Sequence, residues 1–167
     1  MQHHLRVVQM KTSDRGIAAL KQRERCRLSA YQDVAGVWTI GYGQTGPNIR
    51  PHTFWTHEQA EEALTAALIP REAAILTNVK VPLSQNQFDS LVSFVYNVGI
   101  RAFLRSTLLQ ILNRGNYAGT AKQFAVWNKI TDPVTHELVV SNGLTNRRRS
   151  EALQFTTPYP QPPKVQP

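Results

Sequence analysis

Glu24, Asp33 and Thr39 stand nine and six residues apart in the stretch 24–43. A carboxyl group at the end of a helical segment, a second just before a glycine turn, and a hydroxyl on the next strand can all face one cleft. That set suits hydrolysis of a glycosidic bond, which needs a proton for the leaving oxygen and a base or nucleophile on the opposite face of the sugar. With seven Glu, four Asp and fourteen Thr in 167 residues, chance supplies on the order of 0.01 such triplets. Taken singly the residues say little, since a Glu near a helix end usually solvates the surface and an Asp ahead of Gly36 usually bonds its own backbone in a turn. In the enzymatic reading Glu24 is the general acid, with partial burial beside apolar neighbours favouring its protonated form. Asp33 is the general base, and the Thr39 hydroxyl helps to hold the attacking water.

The elements that must position these groups can be read from periodicity. Ser13 and Asp14 precede Ile17, Leu20 and Lys21 on one face, which predicts a helix over residues 14–25 that delivers Glu24 in its last turn. Residues 28–32 are strand-like in composition, residues 37–42 are rich in β-branched and aromatic side chains, and the two flank a turn at residues 33–36, so they predict a hairpin that brings Thr39 back across from Asp33. Residues 43–51 read as turn chemistry throughout. Thr56 with Gln59, and Ser84 with Gln87, form capping boxes ahead of two more helices. The first carries the stripe Ala60, Ala63, Leu64, Ala67 and Leu68, with a kink or break expected at Pro70. The second carries Phe88, Leu91, Val92 and Val95 and ends at Gly99. Helical periodicity returns over residues 106–113 and 118–127. A polar loop with Pro133 and Gly143 leads to a last helix over residues 144–155. Helix, short sheet, then a mainly helical remainder, with no alternation of strand and helix, indicates the α+β class.

A chain of 167 residues fits one domain with its own core. We place that domain at residues 1–157, followed by a proline-rich tail at 158–167. Cys26 is the single cysteine, so no intramolecular disulfide forms. No apolar run has the length of a membrane span or of a secretory leader's core. Nineteen Lys and Arg against eleven Asp and Glu give a formal charge of +8, a field that gathers polyanions. Specific nucleic-acid reading is disfavoured because no recognition motif accompanies the charge. Gly41, Gly43 and Gly46 satisfy a dinucleotide-binding glycine pattern, but Pro47 and Pro51 follow where a helix N-terminus is needed. His3, His4, His52, His57 and His136 lack metal-ligand spacing, and neither a metal nor an organic cofactor is expected. Trp38, Trp55 and Trp127 are core pieces or sugar platforms. Among Arg147, Arg148 and Arg149, which point in different directions on a helix, at least one should face solvent and another could tie the helix to a core carboxylate.

The stretch from Glu24 to Gly43, with Arg27, Leu28, Tyr31, Gln32, Gly36 and residues 40–43, resembles the phage-type lysozymes. So do the segments Pro82 to Gly99, Ser106 to Leu109, Trp127 with Asn128, and Gly143 to Leu153, in the same order over roughly residues 12–156. Two positions depart from the pattern: Arg25 stands where relatives commonly have Gly, and Gln44 where many have His. The resemblance implies a lysozyme-like fold with a small β lobe at about residues 26–55. A larger helical lobe at about 84–155, with the 14–25 helix, would be joined to it by the 56–80 helix, with the cleft between the lobes. It implies an endolysin muramidase that cleaves peptidoglycan between N-acetylmuramic acid and N-acetylglucosamine by inversion, with Tyr42, Tyr96, Asn97 and Ser106 near the substrate. It also implies a monomer that remains inside the host cell until a holin opens the membrane, then acts at the wall. The alternatives are a lytic transglycosylase and a non-catalytic basic module that binds wall or nucleic acid.

Overall fold

The computed structural model describes residues 9–160. Helix α1, Asp14–Glu24, starts at Ser13, whose hydroxyl accepts the Gly16 N–H. It ends at Arg25, whose φ of 56° and ψ of 145° no longer continue a helix. Strands β1, Arg27–Gln32, and β2, Trp38–Gly41, pair antiparallel with Tyr31 opposite Thr39 and Gln32 opposite Trp38. The segment expected to be turn throughout contains a short third strand, β3, Gln44–Thr45, on the far side of β2. The other edge of β1 is covered by residues 53–55, with the Ala30 N–H donating to the Thr53 carbonyl and the Trp55 N–H to that of Leu28.

Both expected capping boxes form. Thr56 opens α2, His57–Asn78, and Ser84 opens α3, Gln85–Val98. Pro70 does not break α2, which continues through it for 22 residues. Ala66, Ile69 and Pro70 lie on the exposed side, so the hydrogen bond that proline cannot donate is missing where water can replace it. The neighbouring Ala67 carbonyl is served by Arg71 Nη1 at 2.5 Å. The buried face of Leu64, Leu68 and Ile75 passes the site unbroken.

Helix α3 is the axis of the core. Phe88, Leu91, Val92, Phe94 and Val95 are fully buried, each such side chain contributing about 1.5–3 kcal/mol of burial. Gly99, at φ 87°, ends the helix as expected and leads into α4, Ile100–Leu104, which the periodicity had not shown. Next come α5, Thr107–Asn113, and α6, Tyr117–Gln123. A 3-10 turn, Phe124–Val126, then sets Phe124 and Trp127 edge-on to Phe94 at 5.3 and 5.4 Å between ring centroids. The loop expected beyond Trp127 is a hairpin instead, β4, Lys129–Thr131, paired with β5, Leu138–Val140. Its strands are three residues long and exposed on both faces, so they lack the alternation that marks a half-buried strand. Helix α7, Asn142–Thr156, takes in Gly143 in its first turn and packs along α3.

Candidate active site

Glu24 is the last residue of α1, and its side chain is 14% exposed. The apolar setting expected for it is an ionic one. Its Oε1 accepts from Arg147 Nη2 at 2.6 Å, across 123 residues of sequence. Its Oε2 points toward the β2–β3 turn, 3.9 Å from where a Cβ on Gly43 would stand. Gly41 and Gly43, at φ 64° and 93°, shape that turn, and no helix follows them to hold a phosphate, so the dinucleotide pattern is spurious. Arg25, at φ 56° and ψ 145°, sits in backbone space that only glycine occupies freely.

Asp33 occupies the turn at the far end of β2. Its Oδ1 accepts the Ala35 and Val37 N–H groups at 2.8 and 2.9 Å. Its backbone N–H pairs with the Val37 carbonyl at 3.0 Å. Thus Asp33 does what a turn aspartate does, but with one oxygen; Oδ2 takes no hydrogen bond among the described residues. Because Asp33 stands opposite Val37 and side chains alternate along a strand, Thr39, two residues on, shares its face of the hairpin. Thr39 is 4% exposed and its hydroxyl donates to the Val37 carbonyl at 3.0 Å, leaving its lone pairs free. Strand β2 therefore runs from the Asp33 turn, by way of Thr39, to the turn that faces Glu24.

The four residues expected at the substrate divide by exposure. Asn97 is exposed, and its Oδ1 accepts from Arg148 Nη2. It edges a groove of about 620 Å³ whose other wall is Trp127, Leu144 and the β4–β5 hairpin. Tyr96 is half-buried; its hydroxyl donates to the Tyr42 carbonyl at 2.8 Å and accepts from Gln44 Nε2 at 2.9 Å. Burial, and after it the Glu24 charge, push the Tyr96 phenol up to about 12. Tyr42 is buried, its hydroxyl donating to Glu61. Ser106 is 3% exposed and is the cap of α5, its Oγ accepting the Leu109 N–H and donating to the Phe103 carbonyl. Gln44 also accepts the Tyr42 N–H at 2.7 Å, so one amide ties the sheet to α3.

What sequence reasoning missed is the role of α7. Arg149 faces solvent, whereas Arg148 is buried and Arg147 nearly so. Arg147 Nε donates to Glu151 Oε1 at 3.0 Å, and Arg148 Nη1 to Glu151 Oε2. The Arg-Arg-x-x-Glu spacing, which sets i,i+3 and i,i+4 pairs on one helix face, was the available signal. Among the described residues no cluster of three or more His, Cys, Asp or Glu is placed to hold a metal.

Comparison with known proteins accords with this geometry. A family model described as phage lysozyme matches residues 21–151, a span that opens just before Glu24 and closes at Glu151. The endolysin of Acyrthosiphon pisum secondary endosymbiont phage 1 is 41% identical over 146 residues, covering 87% of this chain and 98% of that protein. The endolysin of Salmonella phage P22 is 40% identical over 149 residues, with 86% and 97% covered. Among solved structures, the endolysin from Escherichia coli O157:H7 phage FAHEc1 superposes with a TM-score of 0.82 at 42% identity, covering 96% of this chain and all of that one. With family match, relatives and fold in agreement, the chain belongs to the phage lysozyme family.

Proposed function

We propose that this chain is an endolysin: a muramidase that hydrolyses the β-1,4 bond between N-acetylmuramic acid and N-acetylglucosamine in bacterial peptidoglycan. The observation that carries the reading is the pairing of Glu24, clamped through one oxygen by Arg147 and open on the other, with Asp33, likewise open on one oxygen at the opposite end of β2. The names of the relatives, endolysins of several phages, support it. Glu24 Oε2 delivers a proton to the leaving glycosidic oxygen, and Asp33 Oδ2 takes a proton from the water that attacks the anomeric carbon, assisted by a Thr39 lone pair. Asn97 and the exposed edge of Tyr96 contact the sugar; Tyr42 and Ser106 hold the walls. The product is the inverted α-anomer. The basic surface draws the enzyme, as a monomer, to the anionic wall. Among the described residues no helix is long and apolar enough to cross a membrane, and a holin would open the way to the wall.

Product analysis tests this. Wild-type protein should release reducing muramic ends, with the α-anomer first by NMR before mutarotation. Glu24→Gln should abolish release in a folded protein, and Asp33→Asn should lose most turnover while still binding wall fragments. A bulky side chain at Thr39 should block hydrolysis more than binding. Anhydro ends would replace the reading with a lytic transglycosylase, and a first-formed β-anomer would make Asp33 a nucleophile. Full activity of Glu24→Gln would remove the acid assignment.

A further inference from the structure

One carboxylate of α7 never reaches the proposed substrate path. Glu151 is fully buried, and every group around it is a donor. Its Oε1 accepts from Ser93 Oγ at 2.7 Å and from Arg147 Nε at 3.0 Å; its Oε2 accepts from Arg148 Nη1. The backbone is held as well, by Ser90 Oγ donating to the Glu151 carbonyl at 2.7 Å. Each arginine then reaches onward. Arg147 Nη2 bonds Glu24 Oε1 and the Ser93 carbonyl, and Arg148 bonds the Trp127 carbonyl through Nε at 3.1 Å and Asn97 Oδ1 through Nη2.

We infer that Glu151 is a positioning residue that sets two groups at once: through Arg147 the acid Glu24, and through Arg148 the amide of Asn97, which is turned to offer its Nδ2 outward as a donor to the acetamido carbonyl of the sugar. A guanidinium is a rigid planar fork, so seating Arg147 through its Nε and Arg148 through its Nη1 on Glu151 fixes where each Nη2 points. Arg147 is also shared between two carboxylates, so its charge is not given to Glu24 alone. A guanidinium carries donors only. The Asn97 atom facing Arg148 must therefore be the oxygen, and the nitrogen is left for the groove. A side chain so held can donate to an N-acetyl carbonyl and can offer nothing to the ammonium of a de-acetylated sugar. The inference rests on the muramidase reading and specifies how that site recognises its substrate.

Two sets of variants test it, on wild-type protein first shown to cleave soluble glycan chains; an inactive wild type would count against the functional reading rather than against this one. Arg148→Met combined with Glu151→Leu replaces a buried ion pair by apolar side chains, an exchange proteins often tolerate or gain stability from. The expected result is a folded protein whose kcat falls about tenfold or more and whose KM rises. A folded double variant with both parameters within twofold of wild type would show that the pair is only structural and overturn the inference. Asn97→Asp keeps the oxygen that Arg148 holds and lies at the surface, so it should fold whether or not the double variant does. It should raise KM about tenfold on N-acetylated chains, the scale of one lost hydrogen bond, leave kcat nearly unchanged, and erase the preference for N-acetylated over de-acetylated glycan. An unchanged preference would overturn the Asn97 assignment.

Discussion

Gly16→Ala sets helix propensity against packing on the helix that carries Glu24. In an open helix the substitution would stabilise, by about 1 kcal/mol at most. Here a Cβ built on Gly16 meets Asp89 Cγ at 2.5 Å and Oδ2 at 2.7 Å. Asp89 is 1% exposed on α3 and has no solvent to swing into. Making room pulls its carboxyl from the Ser13 N–H at 3.0 Å, the Ser13 hydroxyl at 2.5 Å and the Gln85 amide at 2.8 Å. Hydrogen bonds to a charged group contribute about 1.5–3 kcal/mol each. Losing two of them outweighs the propensity gain and leaves a net destabilisation of about 2–5 kcal/mol. At about 2–4 °C per kcal/mol for a chain of this size, the melting temperature should fall by about 4–20 °C. Thermal and urea unfolding followed by circular dichroism measure it, and muramidase activity at 25 °C should persist because the protein remains mostly folded. The decisive arm is the double variant. With Asp89→Gly already made, the obstructing atoms are gone, including the Cβ that lies at 2.8 Å, and Gly16→Ala should become neutral or slightly stabilising. A Gly16→Ala protein with an unchanged or raised melting temperature, or an equal loss in the Asp89→Gly background, would rule out the clash with Asp89 as the cause.

Three further outcomes are expected. Arg25→Gly relieves a φ of 56° with extended ψ, a strain of about 1–3 kcal/mol partly offset by the entropy that glycine adds to the unfolded chain; a net gain near 1 kcal/mol should appear in urea unfolding, and a loss would mean the strain is absent. Tyr96 binds its proton more tightly in the folded state, with its phenol up to about 12 against about 10 unfolded. Its stabilising contribution is therefore complete below pH 10 and lost as pH rises through 12, and Tyr96→Phe should flatten that alkaline decline in stability. Truncation after Thr157 should leave the melting temperature and activity nearly unchanged, because Thr157 still accepts the Asn86 amide at 2.8 Å; a drop of many degrees would show that the proline-rich segment docks.

Features set by near neighbours were legible in the chain. The capping boxes at Thr56 and Ser84, the end of α3 at Gly99, the turn at Asp33 and the delivery of Glu24 at the end of α1 all depend on bonds within a few residues. The stripe of Phe88, Leu91, Val92 and Val95 marked the core because burial imposes the helical period. Where the local signal was weak or two-sided, the outcome differed. Pro70 forbids one hydrogen bond, and only the placement of that gap toward solvent lets α2 run on. The β4–β5 hairpin is short and exposed, so burial imprinted no alternation on it. Three adjacent arginines could not be told apart until α7 packed on α3, which buried Arg148, turned Arg149 outward and aimed Arg147 at Glu24 from 123 residues away. The chain alone determined which groups were available for chemistry and which short elements would carry them. Tertiary packing decided which charge neutralises which, because a salt bridge or a buried carboxylate depends on distances in space that no local spacing encodes.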